Sequence, residues 1–272
     1  MNTIIHNDFL KECKSLPSDY FDLIIIDPPY NVNAAKWDNI ENYYYWLKNV
    51  VIRCHRMLKP TGSLYLWGMS KNKDFLKIKI FMDESSLINK IEFKNWIVWV
   101  HDVKIHKKPT DKYLIKHEDL LFYSGKNATF NIVRDEPPEF QLKMHSGKYD
   151  KNYFIAREKL FPSQQKIFKN GLQLGSPAKS WWKGPANISK GKKEKKFAGY
   201  KSEWVCNRII KVSSKENDNI LIPFGGNGTE CCECIKLRRN FLSYEINTER
   251  YKLSRNKIKE LQKAPILYDS SS

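Results

Sequence analysis

The 272-residue sequence lacks any apolar run of the ~18 residues that a membrane-spanning helix requires. Its first residues, MNTIIHNDFL, also lack the basic flank and the apolar stretch of a signal peptide. These absences argue against a membrane partner, and we expect a cytoplasmic protein.

Acidic residues are scarce relative to basic ones. The chain has 30 Asp and Glu against 47 Lys and Arg, which leaves a formal net charge of +17. Solubility alone asks a small domain for a net charge of roughly 2–8. The excess therefore predicts a polyanionic partner, and nucleic acid is the most natural one.

The sequence also lacks the usual signatures of a metal site. Cys231 and Cys234 have CxxC spacing, but no second CxxC or close pair of histidines accompanies them, and a structural zinc needs four ligands. We therefore expect no metal and interpret the cysteines as small core hydrophobes. A GxxxxGK[ST] triphosphate loop is absent as well.

An alternation of apolar strands and amphipathic helices is present instead. The continuous apolar run FDLIII at 21–26 is typical of a strand that is covered on both faces of a parallel sheet. A helix at 42–58 follows, then a KPTG turn at 59–62 and a strand SLYLW. Similar patterns predict strands at 3–6, 96–100, 117–124, 219–224 and 241–246, and helices at 8–16, 201–213, 229–238 and 247–262. The sequence predicts an α/β sheet with helices.

The pattern is interrupted between residues 126 and 198, where short polar and basic segments show no clear period. We predict three parts: 1–125, an inserted recognition region at 126–198, and 199–272. Within the insert, Trp181 and Trp182 are interpreted as packing residues. GKKEKK at 191–196 is either a solvated loop or a phosphate contact.

A glycine-rich loop begins at the end of the predicted strand NILIPF (219–224), gives the segment PFGGNG at 223–228, and precedes a helix. Glycines allow a sharp turn and a close approach of a ligand to the backbone. By itself this loop is a weak signal. Glu245 ends the next strand about twenty residues on, where a carboxylate can accept hydrogen bonds from ribose hydroxyls. The pair predicts a nucleotide-like ligand.

DPPY at 27–30 ends the strand FDLIII. Because proline has no N–H group, Asp27, Pro28 and Pro29 form a stiff edge that offers acceptors and almost no donors. The Asp27 carboxylate and the Pro28 carbonyl can accept the two hydrogens of an exocyclic amine, and Tyr30 offers a ring face to a planar base. Ligand sites of α/β sheets lie at the carboxyl ends of strands, where both motifs lie.

In this combination the chain resembles the permuted β-type DNA amino-methyltransferases of restriction-modification systems, which methylate adenine N6 or cytosine N4. Further matches are HNDFL at 6–10, LKPTGSLYLWG at 58–68, HEDLLFYS at 117–124 and YKSEWVCNRII at 200–210. The resemblance covers about two hundred residues outside 126–198. It implies a Rossmann-like methyltransferase sheet, S-adenosylmethionine as cofactor, and double-stranded DNA as substrate.

The resemblance assigns roles to individual residues. Catalytic roles fall on Asp27, Pro28, Pro29 and Tyr30. Cofactor-binding roles fall on Asp8, which by resemblance contacts the cofactor adenine, and on Phe9, Asp27, Lys201, Phe224, Gly226, Asn227, Gly228, Thr229 and Glu245. His117-Glu118, at a strand start, is interpreted as structural.

Two departures from the family pattern concern the cofactor. Ile222 stands where the family usually has an aspartate before Pro-Phe, and Tyr200-Lys201-Ser202 stands for Gln-Lys-Pro. The resemblance favours adenine N6 methylation by direct transfer to a flipped base, because the cytosine-N4 group more often has serine in place of Asp27. Cytosine N4 methylation, RNA methylation and a non-catalytic DNA-binding subunit stay open. A cognate restriction endonuclease and a homodimer are partners that the resemblance allows, in a bacterial or phage-encoded protein.

Overall fold

The computed structural model describes residues 2–31, 38–101, 115, 117–133, 179–184 and 201–263. The strands are β1 (Asn2–Ile5), β2 (Phe21–Ile26), β3 (Leu58–Gly68), β4 (Glu92–His101), β5 (His117–Ser124), β6 (Trp181–Gly184), β7 (Asn219–Ile222) and β8 (Asn240–Tyr244). The helices are α1 (Phe9–Glu12), α2 (Tyr43–Met57), α3 (Lys73–Glu84), α4 (Glu203–Ser213), α5 (Thr229–Lys236) and α6 (Thr248–Lys263). Short 3₁₀ turns follow α1 and α3 at Cys13–Ser15 and Ser86–Asn89.

The described strands form one eight-stranded sheet in the order β1-β8-β7-β2-β3-β5-β4-β6. From β1 to β3 every neighbouring pair is parallel. β5 runs antiparallel to both β3 and β4, and β6 is parallel to β4. The carboxyl ends of β1, β8, β7, β2 and β3 therefore lie at one edge of the sheet, together with the first residues of β5.

Helices cover both faces of this sheet, as the sequence predicted. In β2, Ile24 and Ile26 belong to a core cluster with α2 and α3, whereas Leu23 and Ile25 belong to a second cluster with α4, α5 and α6. All four side chains are fully buried. The continuous apolar run of β2 is thus explained by burial on both faces, and the predicted α/β fold class is confirmed.

Three local features differ from the sequence prediction. The KPTG segment at 59–62 lies inside β3, where the pairing shifts from Phe21 with Leu58 to Leu23 with Ser63, so this predicted turn is a bulge. Helix α3 was not predicted, because KIKIF at 77–81 alternates with the period of a strand while only Phe75, Ile78 and Met82 are buried. Strand β6 lies within the region for which no period was found.

The chain divides into two compact units, Met1–Asn131 with Ser180–Ser272, and Ile132–Lys179. The second unit lies almost entirely outside the described residues, and GKKEKK at 191–196 lies outside them too. The predicted boundaries of the recognition region stay a prediction. No helix among the described residues is long and apolar enough to cross a membrane.

All six cysteines are buried, and none forms a disulfide. Cys231 and Cys234 lie in α5 and are fully buried in the cluster that covers one face of the sheet. Their packing fits the interpretation as small hydrophobic residues.

Candidate active site

The carboxyl ends of four neighbouring parallel strands carry the predicted site residues. Asp8 follows β1, Glu245 follows β8, the glycine loop follows β7, and Asp27 follows β2. The chain leaves β2 through α2 on one face and leaves β7 through α5 on the other. Ligands of open α/β sheets bind at such a switch point, so the topology brings the two predicted motifs side by side.

The DPPY segment is held by helices on its own side of the sheet. Tyr43 of α2 donates its hydroxyl hydrogen to the Pro29 carbonyl at 2.6 Å. The Asn72 side chain, which also caps α3, donates to the Tyr30 carbonyl at 2.6 Å. No hydrogen bond from a described residue reaches the Pro28 carbonyl. The backbone is therefore fixed on both sides of an acceptor that a ligand can use.

Lys201 joins the DPPY segment to β5. Its ammonium lies 2.8 and 2.9 Å from the two Asp27 carboxylate oxygens, 2.9 Å from the Tyr30 hydroxyl and 3.0 Å from Glu118 Oε2. The Tyr30 hydroxyl oxygen lies 3.0 Å from Asp27 Oδ1 and 2.8 Å from Glu118 Oε2. The ammonium also lies 4.8 Å from the ring centre of Trp67. One buried cation thus holds two carboxylates and a phenol together.

Burial and like charge set the protonation of this cluster. Burial raises the pKa of Asp27; the Lys201 charge opposes this shift and the Glu118 charge adds to it. Burial lowers the pKa of Lys201, but the Asp27 and Glu118 charges outweigh it, and the net shift is upward. Burial and the same two charges raise the pKa of Tyr30 well above its usual value. Lys201 therefore stays an ammonium, and Tyr30 keeps its hydroxyl hydrogen.

The glycine loop follows β7 and packs closely on its neighbours. A Cβ atom on Gly225 would lie 2.5 Å from Ser243 Oγ, and one on Gly228 would lie 2.7 Å from Ser254 Cβ. Gly226 and Gly228 have φ of +49° and +78°, which L side chains rarely adopt. Gly226 differs from the other two, because a Cβ there would meet no atom closer than 3.9 Å. Its open side is where a ligand can approach the backbone.

Glu245 faces this loop from the end of β8. Its Oε2 accepts a hydrogen bond from the Gly226 N–H at 2.8 Å, and its Oε1 accepts from the Asn247 N–H at 2.6 Å. Each carboxylate oxygen can accept a second hydrogen bond, so the two oxygens suit the two hydroxyls of a ribose. Burial raises the pKa of Glu245, and these two backbone donors oppose that shift.

Two further features of the loop suit a nucleoside with a charged tail, as in S-adenosylmethionine. The Asn227 side chain is buried, and its carbonyl oxygen has no hydrogen-bond partner among the described residues, so it is available to a ligand N–H group. The half-buried Phe224 ring packs against Trp46 at 5.5 Å and Phe9 at 6.2 Å between ring centres, which provides an aromatic wall. The residues present therefore fit the expected cofactor.

The other predicted residues lie in the same part of the molecule. Phe9 is buried against Tyr244 and Phe224, and Thr229 is the buried first residue of α5. Asp8 caps α1 by accepting from the Leu10 N–H at 2.9 Å. Lys201 lies with Asp27 and not on the glycine loop, and its predicted contact with the cofactor stays a prediction.

Two acidic residues of this region were missed by the sequence analysis. Glu118 was interpreted as structural, yet it contacts both Tyr30 and Lys201. Glu230, in the first turn of α5, is buried, and burial followed by the Asp27 charge raises its pKa to about 7. The sequence feature that could have identified Glu230 is its position directly after the glycine loop. Ile222, the departure noted in the sequence, is buried in the core at the end of β7.

The two tryptophans of β6 differ in their surroundings. Trp182 is buried against Trp204 of α4, whereas Trp181 is 55% exposed. Packing therefore accounts for Trp182. Trp181 lies on the outermost strand of the sheet beside the exposed Lys183.

Comparison with known proteins identifies relatives of this chain. A family model described as DNA methylase, which covers N6 and N4 enzymes, matches residues 21–256. The type II methyltransferase M.HpaI of Haemophilus parainfluenzae is 27% identical over 94% of this chain and 73% of its own length. M.BamHI of Bacillus amyloliquefaciens is 26% identical over 97% and 64%. The DNA adenine methyltransferase YhdJ of Escherichia coli K12 is 29% identical over 92% and 80%.

Solved structures of methyltransferases share the fold. The M1.HpyAVI complex with S-adenosylmethionine aligns with 95% of this chain and 100% of its own at a TM-score of 0.60 and 20% identity. The cytosine-N4-specific PvuII DNA methyltransferase aligns with 96% and 89% at a TM-score of 0.65 and 12% identity.

Proposed function

Since this chain belongs to the N6/N4 family of S-adenosylmethionine-dependent DNA methyltransferases, we propose that it is a site-specific adenine-N6 enzyme that acts on a flipped-out base. One observation carries this proposal. The acceptor edge of Asp27 and the glycine loop end two adjacent parallel strands, β2 and β7, so an amine and a methyl donor can meet between them.

The cofactor supplies an electrophilic methyl group on a sulfonium sulfur. The residues that would hold it are those of the glycine loop and its surroundings: Asp8, Phe9, Lys201, Phe224, Gly226, Asn227, Gly228, Thr229 and Glu245. Glu245 would bind the ribose hydroxyls and the Asn227 carbonyl a donor of the charged tail, while Phe224 lines the site.

Asp27 and Pro28 would orient the amine of the base. Asp27 Oδ1 already accepts from Lys201 and Tyr30, but Oδ2 accepts from Lys201 alone and has room for a second donor. One amine hydrogen would go to Oδ2 and the other to the Pro28 carbonyl. This arrangement favours a tetrahedral nitrogen whose lone pair is exposed for direct transfer.

The charge of the cluster suits the reaction. Among the described residues, the two carboxylates of Asp27 and Glu118 face one ammonium, that of Lys201. Positive charge develops on the amine nitrogen as it gains a methyl group, and the carboxylates stabilise it. The base must first leave the duplex at a cost of a few kcal/mol, which stacking on Tyr30 would offset in part. Glu230 adds a buried acidic group near Asp27.

The family usually has an acidic residue at the position of Ile222, where it concerns the cofactor. We propose that Glu230 compensates for its absence.

Cytosine N4 methylation is the second candidate. It is favoured by the fold match to the cytosine-N4-specific PvuII enzyme, and the same two acceptors suit either amine.

The relatives M.HpaI and M.BamHI are type II methyltransferases, which supports restriction modification in a bacterial or phage context. A cognate endonuclease, a homodimer, a cytoplasmic location, and target recognition by residues 126–198 belong to the same proposal.

Incubation with methyl-labelled S-adenosylmethionine and mixed-sequence duplex DNA tests the function. After digestion to nucleosides, we expect the label in N6-methyladenine. Label in N4-methylcytosine would establish the second candidate instead. If calorimetry detects cofactor binding but no label enters DNA, the enzymatic proposal fails, and a non-catalytic DNA-binding subunit replaces it.

The Asp27→Ala variant tests whether methyl transfer in this experiment depends on the acceptor edge. We expect it to lose methyl transfer by a factor of about 10² or more, while DNA binding is largely retained, because the acceptor is lost and the basic surface is not. Circular dichroism would check the fold, since Lys201 loses a buried partner. Full activity in the variant would refute the role of Asp27.

A further inference from the structure

The hydroxyl group of Tyr30 has one hydrogen and two carboxylate oxygens within hydrogen-bond distance. Its oxygen lies 3.0 Å from Asp27 Oδ1 and 2.8 Å from Glu118 Oε2. One hydrogen can serve only one of these contacts at a time. The other contact becomes a hydrogen bond only when one of the two carboxylates carries a proton. The cluster can therefore bind one proton in addition to the Tyr30 hydroxyl hydrogen, and the two carboxylates can share this proton through the Tyr30 oxygen.

We propose that Asp27, Tyr30 and Glu118 form a proton path in which Glu118 receives, through Tyr30, the proton that the base amine releases as the methyl group is transferred. This inference rests on the proposed function, because the amine is the group assigned to Asp27. Glu118 contacts Tyr30 and Lys201, and we assign it as a positioning residue for Tyr30 as well as the end of the path.

The steps balance in protons and electrons. As the methyl group is transferred, the nitrogen gains positive charge, gives one proton to the Asp27 carboxylate, and keeps the electron pair of that N–H bond. The Asp27 carboxyl group turns about its Cβ–Cγ bond, so that the protonated oxygen, which faced the base, now faces Tyr30. This oxygen passes the proton to the Tyr30 oxygen while the Tyr30 hydroxyl hydrogen moves to Glu118 Oε2. Asp27 and Tyr30 return to their starting forms, and Glu118 releases the proton to water.

Exposure gives the path its direction. The Asp27 side chain is 18% exposed, and a base bound to this carboxylate would cover it. The Glu118 side chain is 22% exposed, and its Oε2 lies 2.8 Å from the Tyr30 hydroxyl oxygen. Lys201, 3% exposed, bridges both carboxylates and keeps their like charges at hydrogen-bond distance from one hydroxyl. Water can therefore take the proton from Glu118 while the base is still bound.

Among the described residues, charged and titratable groups lie around the path on several elements. They are Lys201 before α4, Cys206 in α4, Glu230 in α5, Tyr43 in α2 and Glu118 itself on β5. Lys201 is the only cation among these groups. A rise in pH removes the extra proton from the cluster, and the Lys201 charge stabilises this deprotonated form. Only the deprotonated form can accept the amine proton.

The Glu118→Gln variant tests the path, because glutamine keeps the size and one carbonyl acceptor but takes no proton at neutral pH. In single-turnover methylation, we expect the wild-type rate to rise with pH through one ionisation and then level off. In the variant we expect a plateau at least tenfold lower and no such rise. Cofactor and DNA affinities should be unchanged. A wild-type rate and pH profile in the variant would overturn the proposal.

Rescue separates proton transfer from a structural effect. In Glu118→Ala, sodium formate can enter the space that the side chain leaves and supply a carboxylate. We therefore expect formate to raise the methylation rate of this variant at least a few-fold. Formate should restore nothing in Tyr30→Phe, which keeps the ring but lacks the hydroxyl. Equal behaviour of the two variants with formate would contradict the path.

Proton sharing can also be measured without activity. With ¹³C-labelled Asp and Glu carboxyl groups, the Asp27 signal, assigned through Asp27→Asn, should titrate at a lower pH in Glu118→Gln than in the wild type. An unchanged titration would refute the sharing. If the wild type methylates no DNA, the proposed function fails, and this measurement still decides whether the Asp27 and Glu118 carboxyl groups titrate as a coupled pair.

Discussion

Glu230 is a buried carboxyl group beside the site, and its ionisation should be visible in the stability of the protein. Its pKa is raised from 4.5 to about 7 by burial and by the Asp27 charge. A raised carboxyl pKa means that the folded state binds the proton more tightly than the unfolded state does. The stabilisation is present below about pH 4.5 and is lost as the pH rises through 7.

We therefore expect Glu230→Gln to change the pH dependence of unfolding. Relative to the wild type, the free energy of unfolding of the variant should increase by up to about 3 kcal/mol between pH 4.5 and pH 8. Urea unfolding at the two pH values measures this difference. Glu249→Gln, at an exposed position in the first turn of α6, is the control and should show little change. A pH-independent difference for Glu230→Gln would refute the buried ionisation.

Sequence proximity decides which site residues could be predicted. Asp27 and Tyr30 stand in one short motif, and the glycines stand in another, so local chemistry was sufficient to predict them. Glu118 lies 88 positions after Tyr30, on a strand whose direction no local pattern reveals. Because β5 is antiparallel to β3, its first residues lie at the edge where the parallel strands end. Only the sheet topology assigns Glu118 to the site.

At the level of elements, the glycine loop and α5 depend on two glycines with different surroundings. Gly228 is the N-cap residue of α5, and a Cβ on it would lie 2.7 Å from Ser254 Cβ in α6. Gly226 has a similarly positive φ but faces open space. Gly228 therefore brings two helices together, whereas Gly226 leaves the backbone open to the cofactor.

Alanine at the two positions should separate these roles. Each substitution places an L residue at positive φ, which costs about 1 kcal/mol, and Gly228→Ala adds a clash worth about 1–3 kcal/mol. We expect Gly228→Ala to lower the free energy of unfolding clearly more than Gly226→Ala does in urea. Gly226→Ala should instead weaken cofactor binding in calorimetry. Equal losses of stability would show that the contact with α6 is unimportant.

Elements with a strong period were predicted closely, and short or ambiguous ones were not. The bounds of β2 and β5 agree with FDLIII and HEDLLFYS. β6 has only four residues, WWKG, between polar segments, and nothing in such a short stretch distinguishes a strand from a loop. It becomes a strand because it pairs with Val98–His101 of β4. Long-range pairing overrides local propensity at this position.

At the scale of the whole molecule, the net charge of +17 favours binding to a polyanion such as DNA. β1 and β6 are the two outer strands of the described sheet. β6 falls within the predicted recognition region and carries the exposed Lys183. Lys263, also exposed, ends α6, which contacts β1 at the opposite side of the sheet. The two lysines therefore allow a test of which side of the molecule binds DNA.

Salt titrations of DNA binding make this test. For each phosphate contact, the slope of log K against log[salt] for duplex DNA is about −0.9. We expect a steep wild-type slope, a slope less steep by about 1 in Lys183→Ala, and a wild-type slope in Lys263→Ala. Both variants remove one positive charge, so a general effect of net charge would change the two slopes equally. A change in Lys263→Ala alone would place the DNA on the β1 side and remove the support for recognition by residues 126–198.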